Sequence, residues 1–250
     1  MKLPHASSTT CPAFSAVVAA AGQGTRMGGG VRKPFLLLGG QPILEHVLSR
    51  LCAARGLAEV VVAVHPDDLD SYRRQSGELK AKFRVTAIVP GGAVRQESVL
   101  AALEATSPGV PLVLIHDAVR PLVLPGLVEK VAARAAETGA AIAAVPSVAT
   151  VKEVDAEGVI VRTPARERLW LAQTPQGFRR DLILEAHRRA RADGFVGTDD
   201  AQLVERLGHG VVVVEDSPEN LKITNPEDLP LAETVLKRQQ AADPRLRRTH

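Results

Sequence analysis

Cysteine is scarce in this chain: two occur in 250 residues, Cys11 and Cys52. No metal-type spacing links them, which excludes a disulfide framework or a zinc finger as the organising principle and fits a reducing, cytoplasmic compartment. Aromatics make up only 3%, too little for the base-stacking platforms of single-strand binders. No apolar run approaches the ~20 residues that a membrane span needs, so no membrane partner is expected. An excess of one charge is missing as well. The formal net charge is +3, but Lys237, Arg238, Arg245, Arg247 and Arg248 stand against Asp243 alone from residue 237 onward. The body that precedes them holds 26 basic and 27 acidic residues. That near-neutral balance argues against a nucleic-acid face.

What is present is the composition of an ordinary globular domain, 45% hydrophobic and 24% charged, in a chain long enough to bury a substantial core. The expected organisation is a disordered segment 1–12, a single domain 13–238 and a disordered basic tail 239–250. Lys2 and the apolar run Ala13 to Ala21 are separated by Ser7 to Thr10 and Pro12. The run feeds a glycine-rich loop, so it reads as a buried first strand and not as a signal peptide.

Apolar runs at 59–65, 112–116 and 140–145 are continuous, as strands covered on both faces are; 59–65 is a β-branched run, and 84–89 is expected as the third strand, before the one at 112–116. Between them lie helical periods at 42–55, 67–80, 96–106 and 127–138. Strand and helix alternate, so the fold class is α/β, a doubly wound and mostly parallel sheet. From 147 to 173 the pattern changes. Residues 150–154, 159–162 and 167–171 alternate polar with apolar around a turn at Asp155 to Gly158, which predicts a half-exposed β-arm inserted into the fold. Such a hairpin is marginal alone and needs a site or a partner subunit to cover. Helices are expected at 179–191, 199–207 and 226–237 and a strand at 211–214, with Thr198 capping the second helix and Asp199 and Asp200 in its first turn.

In a doubly wound sheet ligands sit beyond the carboxyl ends of the strands. After the first strand come Ala19, Ala20, Ala21, Gly22, Gly24, Arg26 and Gly28, then Lys33. Glycines that bring backbone N–H groups to an anion, with two cations close by, have the character of a phosphate loop. It is not a Walker A loop, and it misses the dinucleotide fingerprint because Gly28 stands where position 27 would be needed. That disfavours a nicotinamide oxidoreductase. After the third strand, Gly91 and Gly92 precede Arg95 and Ser98, as either a plain turn or a second backbone-lined wall. After the fourth comes Asp117, costly at the end of a buried strand without a partner. It is a candidate for positioning magnesium or a substrate phosphate, or for a structural pair with Arg120. No Gly-x-Ser-x-Gly elbow and no His-Glu-x-x-His occurs.

Taken together, Ala-Ala-Gly-Gln-Gly-Thr-Arg-Met, Lys33, Gly-Gly-x-x-Arg-Gln-x-Ser, His-Asp-Ala-x-Arg-Pro, Thr-Pro-Gln and Asn-x-Lys-Ile-Thr-x-Pro-Glu-Asp resemble the 2-C-methyl-D-erythritol 4-phosphate cytidylyltransferases of the non-mevalonate isoprenoid pathway. The resemblance runs in order from about Phe14 to Lys237 and implies a Rossmann-like nucleotidyltransferase fold. It implies that Ala20, Ala21, Gly22 and Gly24 hold CTP through their backbone while Arg26 and Lys33 bind the triphosphate. It further implies that Gly92 and Ser98 read cytosine, that Arg95 braces their loop, and that Asp117 positions the substrate phosphate and Mg2+ with Arg120 in support. In the family the β-arm is exchanged across a homodimer, so Thr150 and Arg166 would reach the methylerythritol phosphate of the neighbouring protomer. Thr174 would contact that substrate too, and Lys222 would return to the α-phosphate. Pro34 and Ala93 depart from the family's usual glutamine and acidic residue, and Arg168 adds an arm cation beside Arg166. A cytidylyltransferase for another polyol phosphate, such as ribitol 5-phosphate, would share the CTP loop and much of the arm.

The chemistry suits these residue types. A phosphate oxygen attacking a nucleotide α-phosphorus needs no protein nucleophile, only in-line positioning and cations to spread transition-state charge.

Overall fold

A computed structural model of the chain describes residues 11–22, 32–74, 76–243 and 246. The strand β1 (Phe14–Ala20) is followed, after the loop and a 3-10 turn at Lys33–Phe35, by the short hairpin β2 (Leu37–Leu38) and β3 (Gln41–Pro42). Gly39 and Gly40 make its two-residue turn with φ of +56° and +80°, values that favour glycine at both places. Next come α1 (Ile43–Cys52), β4 (Leu57–Val64), α2 (Leu69–Arg74), α3 (Ser76–Phe83), β5 (Val85–Pro90), α4 (Arg95–Glu104), β6 (Leu112–Asp117), α5 (Pro125–Thr138) and β7 (Ala140–Pro146). The hairpin β8 (Glu153–Val154) and β9 (Ile160–Arg162) follows, then β10 (Trp170–Arg179), α6 (Arg180–Ala192), α7 (Asp200–Arg206), β11 (Val212–Glu215) and α8 (Asp228–Ala242).

The central sheet has seven strands in the order β11-β7-β10-β6-β1-β4-β5. Parallel pairing joins β1 to β4 and β6, β4 to β5, and β11 to β7, whereas β10 runs antiparallel to both β6 and β7. Alternate residues of β1 face opposite sides. Phe14, Ala16, Val18 and Ala20 pack under α1 and α5, while Val17 packs under α4, α6 and α7. Each sheet face therefore has its own apolar core. A third, smaller cluster ties Leu38 and Ile43 to Leu122, Ile223, Ala232, Val235 and Leu236 of the terminal helix region.

Several elements differ from the sequence expectations. The helical stretch expected at 67–80 is a 3-10 turn at Pro66–Asp68 followed by two short helices. The stretch 167–171 is not a third strand of a hairpin. Arg166–Arg168 form a 3-10 turn, and Trp170 to Ala172 already pair with β7 as the start of β10. The pairing of β10 is interrupted between Ala172 and Gln176, where the Thr174–Pro175 peptide is cis. The β8-β9 hairpin makes a sheet of its own, and residues 148–163 around it are all exposed. Its turn is anchored by the Asp155 carboxylate, which accepts from the N–H groups of Glu157 and Val159. The last helix runs on to Ala242, past the expected end at Lys237, because Gln239 is a buried anchor. Its side chain accepts from Arg50 at 2.9 Å and donates to the Leu122 carbonyl. Among the described residues no helix is long and apolar enough to cross a membrane.

Candidate active site

The chain order reverses direction beside β1. After β5 at one edge it crosses to β6 on the other side of β1, and a crevice opens beyond the carboxyl ends at such a switch point. Here it is a cleft of about 510 Å³ lined by Ala19 to Gly22 after β1, His65 and Pro66 after β4, Gly91 to Arg95 and Ser98 after β5, Asp117 to Val119 after β6, and Lys33, Pro34 and Lys222. A larger open groove between α6 and α7 takes nothing from these strand ends.

The two loop walls touch. A Cβ placed on Gly91 would lie 2.3 Å from the Ala21 Cβ and 2.7 Å from Ser98 Oγ, so glycine is required for the close approach. The second wall is braced from within. Ser98 Oγ accepts the Gly92 N–H at 3.1 Å and lies 3.2 Å from the Val94 carbonyl, to which it donates, while the Ala93 N–H donates to Glu97 Oε2 at 2.7 Å. The small side chain at Ala93 therefore leaves its main chain held by Glu97. The Gly92 N–H and the Ser98 hydroxyl, expected to read a base, are engaged with each other.

Asp117 sits at the floor with only 7% exposure. Three cations converge on it: Lys222 Nζ at 2.9 Å, Arg95 Nε at 3.3 Å and Arg120 Nε at 3.7 Å. Burial alone would raise its carboxyl. Arg95, Lys222 and Arg120 outweigh that and hold it well below the usual carboxylate range, as opposite charges at this distance do. Asp117 is ionised and electrically over-compensated, leaving positive charge at the cleft floor.

Lys222 arrives from a segment fixed at several points. The Ile223 N–H donates to the Val119 carbonyl at 2.8 Å, Lys33 Nζ donates to the Thr224 carbonyl, and Asp228 accepts from Thr224 N, Thr224 Oγ1 and Asn225 N. Two lysines more than a hundred residues apart thus meet in one wall. Arg32, next to Lys33, pairs with Asp67 at 2.9 Å and Asp68 at 2.5 Å, tying the end of the first loop to the β4 end.

Arg95 is held from behind. Its Nη1 donates to Asp200 Oδ2 at 2.7 Å, and Asp200 Oδ1 lies 3.2 Å from His187 Nε2. Burial would raise Asp200, but Arg95 and His187 lower it. This corrects the sequence expectation for α7. Asp199, not Thr198, is the cap, accepting from Gln202 N, while Asp200 is a buried partner of a cleft arginine. Sequence reading also passed over His116 and Asn220, whose only signal was membership of the His-Asp-Ala and Asn-x-Lys motifs.

Ala20, Ala21, Gly22, Lys33, Gly92, Arg95, Ser98, Asp117 and Lys222 all come together at the cleft. Arg120 stands just behind, its Nη1 donating to the Asn220 carbonyl at 2.7 Å. Gly24 and Arg26 lie outside the described residues. Thr150 and Arg166 are exposed on the stretch around the β8-β9 hairpin and do not line the cleft; Arg166 Nη1 donates to the Val148 carbonyl. Thr174 is buried and likewise absent from the lining. Asp117 is the one carboxylate lining the cleft, and among the described residues no group of three His, Cys, Asp or Glu could hold a metal. That donor set fits a divalent cation held jointly by one carboxylate and ligand phosphates, which is how magnesium is commonly bound.

The family model for "2-C-methyl-D-erythritol 4-phosphate cytidylyltransferase" matches residues 14–238. A protein of that name from Pelotomaculum thermopropionicum is 48% identical over 226 residues, covering 90% of this chain and 95% of the relative. One from Geobacter metallireducens is 45% identical over 228 residues, covering 90% and 98%. Among solved structures, the 4-diphosphocytidyl-2C-methyl-D-erythritol synthase of Anaerococcus prevotii superposes with a TM-score of 0.79 at 31% identity, covering 90% of this chain and 96% of that one. The 2-C-methyl-D-erythritol 4-phosphate cytidylyltransferase of Thermus thermophilus gives 0.72 at 39% identity, covering 89% and 98%. With its sheet order, its cleft and a match that spans nearly the whole domain, the chain belongs to the 2-C-methyl-D-erythritol 4-phosphate cytidylyltransferase family.

Proposed function

We propose that this chain joins CTP and 2-C-methyl-D-erythritol 4-phosphate, giving 4-diphosphocytidyl-2-C-methyl-D-erythritol and pyrophosphate. An oxygen of the substrate phosphate attacks the α-phosphorus of CTP in line, the bond from that phosphorus to the bridging oxygen of the β-phosphate breaks, and pyrophosphate leaves. The observation that carries this reading is the ammonium of Lys222 beside an over-compensated Asp117, with Lys33 in the same wall, at the carboxyl ends of parallel strands. Positive charge fixed in advance where negative charge develops lowers the barrier without reorganisation.

In this reading Ala20, Ala21 and Gly22, together with Gly24, meet the nucleotide through main-chain atoms. Lys33 and Arg26 take the triphosphate, Gly92 and Ser98 form the base wall, and Lys222 faces the α-phosphate. Asp117 holds Lys222 in place, and Arg95 and Arg120 hold Asp117. A divalent cation, Mg2+ by the chemistry of the donor set, would be shared between Asp117 and nucleotide phosphates and would neutralise part of the triphosphate charge. Pyrophosphate release, measured with CTP and magnesium and with either methylerythritol 4-phosphate or ribitol 5-phosphate, is expected with the first substrate alone. Release with ribitol 5-phosphate alone would move the protein to another polyol phosphate.

Thr150 and Arg166 are assigned to the methylerythritol phosphate bound by a second protomer. Val148, Ile160 and Leu171 around the hairpin are 86%, 57% and 55% exposed, an apolar display that a homodimer would cover. A mixture of Arg166→Ala and Lys33→Ala protomers should recover part of the activity that each lacks alone. Purified heterodimers with no recovery would place the whole site within one chain.

A further inference from the structure

One polar side chain of the cleft has no part in the proposed transfer. Lys33 donates to the Thr224 carbonyl, Arg95 donates to Asp200 and Asp117, Ser98 accepts from Gly92, and Lys222 pairs with Asp117. His65 lines the same cleft with its side chain 18% exposed. Its Nε2 has no hydrogen-bond partner among the described residues.

The sheet decides what His65 stands next to. Val64 at the end of β4 pairs with Pro90 of β5, and the Val64 carbonyl accepts the Gly91 N–H at 2.7 Å. His65 therefore follows directly beside Gly91 and Gly92, in the wall assigned to the base. On its other side begins the 3-10 turn Pro66–Asp68, where Asp67 and Asp68 hold Arg32 at the end of the first loop. Two carboxylates there face one guanidinium, a setting that suits a neutral group better than a phosphate.

The ring is fixed in direction. Nδ1 accepts the Asp67 N–H at 3.3 Å and so caps the 3-10 turn. Asp67 Oδ2 lies 3.4 Å from the same nitrogen, but that oxygen is taken by Arg32 at 2.9 Å. A nitrogen that accepts carries a lone pair, so the proton of the neutral ring is on Nε2, which is left as a donor.

We propose that His65 binds the nucleoside half of the nucleotide and not its phosphates, with Nε2–H donating to an acceptor atom such as O2 or N3 of cytosine. The neighbouring main chain supplies few donors of its own, since the Gly92 N–H is engaged by Ser98 and the Ala93 N–H by Glu97. A ring already tethered through Nδ1 gives up little freedom when Nε2 finds its partner.

This assignment rests on the CTP reading, and the test separates the two. His65→Asn keeps an acceptor for the Asp67 N–H, and His65→Ser is likewise a capping side chain. Both lack the donor at the Nε2 position. Calorimetry with magnesium should show Kd for CTP rising about 3- to 10-fold in either variant, the worth of one neutral hydrogen bond, with Kd for inorganic tripolyphosphate held within about 2-fold. In the wild type, CTP should shield His65 from diethyl pyrocarbonate, read by peptide mass spectrometry, and tripolyphosphate should not. That second arm gives its answer even if neither variant folds. Unchanged CTP affinity in folded variants, or equal modification of His65 with and without CTP, would refute the role while leaving CTP as a ligand. Equal losses of affinity for CTP and tripolyphosphate would make His65 a phosphate ligand and overturn the proposal. Wild-type protein that binds no CTP would overturn the cytidylyl-transfer reading itself, and the His65 assignment with it.

Discussion

Asp117→Asn should lower kcat by about 10²-fold or more while leaving KM for CTP unchanged or reduced. The substitution is isosteric and deletes one negative charge from a cluster in which Lys222, Arg95 and Arg120 all face it. Nucleotide phosphates would then meet three cations with no internal anion to share, so ground-state binding holds or tightens. What disappears is the definite position of Lys222, and loss of a single preorganised oxyanion-hole donor, a related electrostatic effect, costs about 2.7–4 kcal/mol. Removing one partner of a buried charge cluster costs about 3–5 kcal/mol when the others stay buried. The stability loss should fall at or below the low end of that range, because Arg95 and Lys222 are 34% and 43% exposed and can turn to water. Steady-state kinetics with a thermal melt of the same variant check both. A wild-type kcat would remove the carboxylate from the mechanism.

Lys222→Ala should cost a similar 10²-fold or more in kcat with almost no loss of stability. Its ammonium is half in water, and an ion pair of that exposure contributes about 0–1 kcal/mol. This separates it from Asp117→Asn, which damages both. Lys222→Arg should fail to rescue, because a guanidinium fork would pair with Asp117 and hold its charge in a different place from the compact ammonium at 2.9 Å. Lys33→Ala is expected to be as severe, since Lys33 both lines the cleft and holds the Thr224 carbonyl two residues beyond Lys222. The two losses should therefore combine less than multiplicatively, as coupled neighbours do. Equal kcat for wild type and either single variant, read by pyrophosphate release, would remove that lysine from the reaction.

The parallel sheet was legible because strands covered on both faces carry unbroken apolar runs, and β4, β6 and β7 do. The cleft followed from it, since Asp117 closes the run of β6 and Gly91 stands directly after β5. The antiparallel strand β10 was not legible. Its residues Trp170 to Arg179 include Thr174, Pro175, Gln176 and Gly177, which suit a loop, and only pairing to both β6 and β7 makes them a strand. In the sequence Asp200 reads only as an acid of a helical first turn, because its partner Arg95 lies 105 residues earlier, a separation that no local pattern encodes. His116 and Asn220 were hidden for the same reason. A buried polar side chain announces itself only through its partners, and both of these meet Thr174 of β10, 58 and 46 residues away.

The third apolar cluster bears on how the protein ages. Lys222 is delivered by the residue beside it, Ile223, which is anchored among Leu122, Ala232, Val235 and Leu236 and not in either sheet-face core. A unit this small opens at a lower free energy than the whole domain. On the proposed role of Lys222, such an opening would withdraw the lysine while the sheet stays intact and would leave a folded chain without activity. Shelf life as a catalyst would then be set by the docking of one C-terminal helix, and amide exchange in α8 is expected to track that lifetime better than a global melting temperature.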